Sequence, residues 1–277
     1  MKLCRFQPLE FASADIARAP HESHPHMRHG IIEANSVHEF SGELWGARER
    51  TGQKWPLDSV KLLPPAIPSK IVCVGKNYVD HAAEMGGPPP KNPIIFLKPP
   101  SAVIAPHEPI ILPRISQRVD YEGEIAIVIG RQCKHVAKDE ALSYVAGITL
   151  ANEGTIRDWT RHGQFNVTQG KNFDATGGLG PWIETEFDLA KPRHLTIRKN
   201  GQVTQDDTTA SMIFSFADII AYTTTFMTLK AGDVVCTGTP VKLGPKVDPP
   251  VWLKPGDTIE VECPEIGVLR NTVVDEA

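Results

Sequence analysis

Asp120-Tyr-Glu-Gly-Glu-Ile-Ala-Ile-Val-Ile-Gly130 is the stretch on which the reading of this chain turns. β-Branched Ile125, Ile127 and Val128 favour extended backbone and Gly130 supplies a stop, so a strand is expected from Tyr121 to Ile129. Alternation puts Glu122 and Glu124 on one face, about 6.6 Å apart along the strand, with Ala126 and Val128 behind them. Ile125, Ile127 and Ile129 take the other face, so the strand reads as buried on both sides. Two carboxylates at the end of a buried strand repel each other and lose hydration, and they require a cation, a shared proton or water close by. An edge strand with its acidic end in solvent is the alternative that these residues leave open.

A second apolar strand, Val145 to Ala151, runs into Asn152-Glu153. An acid at that point is what a third oxygen ligand looks like, since hard cations such as Mg²⁺ take carboxylate oxygens and keep positions for water or substrate. Upstream, the strand Ile71-Val-Cys-Val-Gly75 breaks at glycine into Lys76 to Met85, where a short helix stopped by Gly86-Gly87 makes His81 and Glu84 neighbours at i, i+3. A carboxylate beside an imidazole raises its basicity, which suits a general base, although an exposed helical ion pair has the same spelling. Lys171, in Gln169-Gly-Lys-Asn-Phe-Asp174, is a candidate for meeting a substrate carboxylate or a developing oxyanion, with a solvated lysine as the alternative.

Around these elements the chain reads as short strands and Gly/Pro turns with few helices, an α+β fold that is mostly β. Residues 1–65 form a small N-terminal domain with candidate strands at Met1 to Phe6, Gly30 to Ala34 and Ser59 to Leu63. Pro64-Pro65-Ala-Ile-Pro68-Ser69 resists regular structure and marks the boundary with residues 66–277. Leu195 to Val203 is expected as a hairpin turning at Asn200-Gly201, and a helix of about three turns is expected from a capping box at Ser215. His21, His24, His26 and His29 lack cysteine partners and have one nearby carboxylate, Glu22, so they read as a solvated loop. The 277 residues carry a formal net charge of -4 without a long basic run, which argues against a nucleic-acid surface. The sequence has no export-signal pattern or membrane-spanning run, and five scattered cysteines without C-x-x-C spacing point to a reduced, cytoplasmic protein with thiols in its core.

Together, Gly75-Lys-Asn-Tyr78 with His81 and Glu84, Asp120-Tyr-Glu-Gly-Glu124, Arg157-Asp158, Lys171-Asn-Phe-Asp174, Leu179-Gly-Pro-Trp182, Met212-Ile-Phe214, Thr228-Leu229 with Gly232-Asp233, Thr237-Gly-Thr-Pro240 and Leu269-Arg-Asn271 resemble the fumarylacetoacetate hydrolase family over residues 69 to 275. The resemblance implies a rolled mixed β-sheet catalytic domain, a homodimer, and a Mg²⁺ or Mn²⁺ site made by Glu122, Glu124 and Glu153. It implies catalytic roles for His81, Glu84 and Lys171, and substrate binding by Tyr78, Arg157, Asp158, Gln169 and Thr239. Two departures stand out: glutamate at 153, where hydrolase-type members carry aspartate, and Val241-Lys-Leu-Gly244 in place of x-Gly-Val-Gly. The expected chemistry is metal-assisted enolate formation on a 2-oxo or β-diketo acid, with hydrolytic carbon–carbon cleavage of an acylpyruvate-like substrate as the favoured outcome. The alternatives are an isomerase or decarboxylase of hydroxydienedioate or oxo-tricarboxylate intermediates in aromatic catabolism, and an inactive metal-stabilised binding protein.

Overall fold

The computed structural model of the chain describes residues 1–11, 26–86, 88–164, 166–244 and 251–277. Gly123–Ile129 is a strand in which every residue is buried, and it lies deep inside a 12-stranded sheet. Its antiparallel neighbours are Val145–Asn152 on one side and Val234–Cys236 on the other. Beyond Val234–Cys236 come Ile71–Gly75, paired parallel, and then Ile94–Lys98 at the edge. Beyond Val145–Asn152 come Gly177–Glu184, Lys2–Pro8, Arg28–Glu33, Ser36–Gly42 and Arg48–Pro56. The N-terminal strands therefore extend the same sheet, with Lys2 opposite Glu184 and Leu3 opposite Ile183, while residues 64–69 carry no regular structure.

A second sheet of five strands contains Gln202–Thr208, His194–Lys199, Thr258–Cys263, Gly267–Asp275 and Ile110–Leu112. Strand alternation explains how the two sheets join. Ile125, Ile127 and Ile129 enter the large core with Ile197, Val261 and Leu269 of the second sheet, whereas Ala126 and Val128 enter a separate core on the opposite face. The sheets meet so tightly at Gly123 that a Cβ there would lie 2.2 Å from Ile197 Cγ1, so only glycine can stand between the two glutamates. The Phe216–Phe226 helix starts from the expected Ser215–Asp218 capping box and places Phe216, Ile219 and Ile220 in the large core. Asn200 and Gly201 both have positive φ, as a two-residue type I′ hairpin turn requires.

Two expectations needed revision. The strand begins at Gly123 rather than Tyr121, because the preceding amides bond to side chains: Tyr121 N donates to Asp120 Oδ1 at 2.9 Å and Glu122 N to Asn152 Oδ1 at 3.0 Å. The hairpin of Ser36–Gly42 and Arg48–Pro56 was not anticipated, because the latter strand is almost wholly exposed and its Arg-Glu-Arg-Thr-Gly-Gln-Lys run has no buried face to create alternation. All five cysteines are buried and free, as core thiols should be. His26 stacks on Phe11 and His29 on Phe40, while His21 and His24 lie outside the described residues. No helix among the described residues is long and apolar enough to cross a membrane.

Candidate active site

Glu124 lies on the central strand, Glu122 immediately before it, and Glu153 just past the end of the neighbouring strand. A hydrogen bond of 2.7 Å from Glu153 N to Glu122 O ties the ends of the two strands together. One carboxylate oxygen from each glutamate lies within 4.8 Å of the others, and all three residues are buried. Glu153, expected from the sequence as a third oxygen ligand, thus lies beside the pair that strand alternation sets on one face. Glu124 Oε2 accepts a 2.7 Å hydrogen bond from Gly238 N, in a loop whose positive φ of 103° glycine accommodates readily.

The charges in this cluster are only partly balanced. Lys171, 7% exposed, donates to Glu122 Oε2 at 2.6 Å, to Thr155 Oγ1 at 2.8 Å and to Glu153. Burial alone would lower its pKa, but Glu122 and Glu153 override burial and raise it, so the side chain remains an ammonium. Burial likewise favours a neutral Glu122, yet Lys171 and Arg157 hold its pKa well below the usual carboxylate range. Among the described residues Glu124 has no such partner: burial first, and then the charge on Glu153, push its carboxyl well above that range. Three hard oxygen donors converging within 4.8 Å of one another could hold a divalent metal ion.

The polar shell extends outward from Glu122. Arg157 donates to Glu122 and grips Asp120 Oδ2 through Nε at 3.0 Å and Nη2 at 2.9 Å. Asp120 Oδ1 also receives Lys242, whose ammonium stands 4.4 Å from the Tyr121 ring centroid. Together with His81, Asp158 and Thr239, these groups line a cavity of about 930 Å³. His81 sits on the Val79–Glu84 helix, its pKa lowered chiefly by burial, so the imidazole is neutral at neutral pH. Its Nδ1 is 3.7 Å from Glu84 Oε2, an electrostatic contact rather than a hydrogen bond.

The remaining candidates are placed differently. Asp158 lines the cavity and accepts a 2.6 Å hydrogen bond from Ser116 Oγ. Thr239 Oγ1 accepts from Gln205 Nε2 at 2.9 Å. Tyr78 is wholly buried away from the cavity wall, with no hydrogen-bond partner for its hydroxyl among the described residues, and Gln169 is exposed outside that wall. Sequence reasoning passed over Lys98, which is 4% exposed and donates to Gly154 O at 3.1 Å and to Lys171 O, joining the loop after Glu153 to the lysine that binds it. A lysine closing the apolar run Ile94-Ile-Phe-Leu97 was the signal for it.

The profile of the fumarylacetoacetate (FAA) hydrolase C-terminal domain matches residues 70–274. The chain belongs to the fumarylacetoacetate hydrolase family. An Rv2993c-like N-terminal profile matches residues 16–65. Among this family's members, a human protein described as the mitochondrial oxaloacetate tautomerase FAHD2B is 38% identical, covering 97% of this chain and 94% of the relative. The solved structure of a 5-carboxymethyl-2-hydroxymuconate delta-isomerase from Mycobacterium smegmatis is 36% identical with a TM-score of 0.84, over 100% of both chains. That of a 2-hydroxyhepta-2,4-diene-1,7-dioate isomerase from Mycobacterium marinum is 35% identical with a TM-score of 0.83, covering 100% of this chain and 99% of the other.

Proposed function

We propose that this protein moves a proton between carbon and oxygen, or along a conjugated system, in a 2-oxo acid, acting as a tautomerase or isomerase. The observation that carries the reading is a neutral, half-buried His81 in the same cavity wall as Glu122, which Lys171 binds. The hydrolytic reaction favoured from sequence gives way to its isomerase alternative, because the tautomerase and isomerases just described are similar over nearly the whole chain.

In the proposed reaction His81 takes a proton from the carbon next to the 2-oxo group, and the 2-oxo oxygen gains negative charge. Return of a proton to that oxygen gives the enol, and return to a more distant carbon of an unsaturated substrate gives the shifted double bond. Lys171 stays protonated throughout and contributes fixed positive charge rather than proton transfer. Arg157 holds Glu122 and Asp120 in place, and the Thr239 hydroxyl offers a donor to the substrate carboxylate. A divalent cation held by Glu122, Glu124 and Glu153 would supply Lewis-acid stabilisation of the developing negative charge. The test is enol oxaloacetate in D₂O with Mg²⁺, followed by enol absorbance and NMR. Accelerated ketonisation with deuterium entering the carbon next to the 2-oxo group is expected, whereas cleavage fragments from acylpyruvates without such exchange would restore hydrolysis.

A further inference from the structure

Taking the cavity as the 2-oxo acid site proposed above, its charged groups fall into two sets. Lys171 is committed to Glu122 and Glu153, and Arg157 to Glu122 and Asp120, so both inner cations already carry carboxylates. Lys242 differs. Its side chain is 39% exposed, and its one carboxylate partner among the described residues, Asp120, keeps both oxygens satisfied without it: Oδ1 by Tyr121 N at 2.9 Å and Oδ2 by the two Arg157 contacts at 2.9 and 3.0 Å. Of the cations on Asp120, Lys242 can leave at least cost, and its flexible four-carbon stem allows the movement. Arg118 and Arg161 line the same cavity and form no side-chain ion pair among the described residues, so the cavity holds further cations not committed to a carboxylate. A cavity of about 930 Å³ also holds molecules far longer than a four-carbon acid.

From this arrangement we infer that Lys242 is a specificity-determining residue, exchanging Asp120 for a second carboxylate at the far end of an extended 2-oxo acid. The ammonium parked over the Tyr121 ring is the resting position, and Asp120 falls back on Arg157 when the substrate arrives. A terminal methyl in place of that carboxylate finds no partner there and leaves Lys242 on Asp120.

The experiment is calorimetric titration of the full chain with added Mg²⁺, using 2-oxoadipate and 2-oxohexanoate, which share a chain length and differ in the terminal carboxylate. The wild-type protein is expected to bind the diacid roughly 10- to 100-fold more tightly, the value of one charge-assisted hydrogen bond. Lys242→Met is expected to bring that ratio close to one, and Lys242→Arg to keep most of it. A ratio unchanged in Lys242→Met, or a wild-type protein that binds both acids equally, overturns the assignment while leaving the 2-oxo acid site standing. Binding of neither acid overturns that underlying reading together with the role of Lys242.

Discussion

Replacing Lys171 by methionine tests the electrostatics of the site directly. The ammonium balances two buried carboxylates, Glu122 and Glu153, which are 6% and 2% exposed. Methionine fills similar space but leaves both acids without that partner, and Glu122 keeps only Arg157. Breaking a buried pair by removing one member costs about 3–5 kcal/mol, a large share of the roughly 5–15 kcal/mol that stabilises a domain. The loss carries a pH signature. Glu122 has a depressed pKa in the folded protein, so its contribution is present above the unfolded carboxylate value and disappears as pH falls through the folded one. In Lys171→Met the same acid lacks its main cation and is relieved by protonation. The gap between wild type and variant is therefore widest near neutral pH and closes below the ordinary glutamate range. Urea unfolding followed by tryptophan fluorescence, in the presence of a chelator and from pH 7.5 down to about 3, measures it. A gap under about 1 kcal/mol at neutral pH, or one that persists undiminished into acid, would refute the reasoning.

Burial lowers the His81 pKa below its ordinary 6.5, so the acid limb of the kcat/KM profile for ketonisation is expected below pH 6.5, and its appearance above that value would remove His81 as the base. His81→Ala is expected to slow exchange by about 10²- to 10⁴-fold while Mn²⁺ binding, followed by electron paramagnetic resonance, persists. Glu124→Gln replaces one of three carboxylates by a neutral amide and is expected to weaken Mn²⁺ binding at least about tenfold in the same titration; equal affinity would place the ion elsewhere. Gly123→Ala sets a methyl against Ile197 and is expected to cost about 1–3 kcal/mol in thermal unfolding, with favourable coupling to Ile197→Ala in a double-mutant cycle; simple additivity would contradict the close approach of the sheets.

How much of the site was legible depended on how local the signal was. Glu122, Glu124 and Glu153 could be picked out because each is an acid at the end of an apolar strand, and strand alternation is a local rule. His81 and Glu84 were visible through helical spacing, but their 3.7 Å separation was not, since side-chain rotamers depend on packing. The Ser36–Gly42 and Arg48–Pro56 hairpin escaped because a solvent-facing edge imposes little pattern on sequence. Lys98 escaped because its partners, Gly154 O and Lys171 O, lie 56 and 73 residues away.

By itself, the sequence of this protein determined where its buried apolar strands run, which of their faces are apolar, and that two acids stand where burial makes them costly. It also carried the family, through motifs spread over most of the chain. Tertiary structure alone decided the balance of charge: that Lys171 lies between Glu122 and Glu153, that Arg157 and Lys242 share Asp120, and that Glu124 has no cation of its own among the described residues. The physical reason is that Coulomb and desolvation energies depend on distances between groups far apart in the chain. Those distances arise only when the Gly123–Ile129 strand packs between its neighbours and against the second sheet.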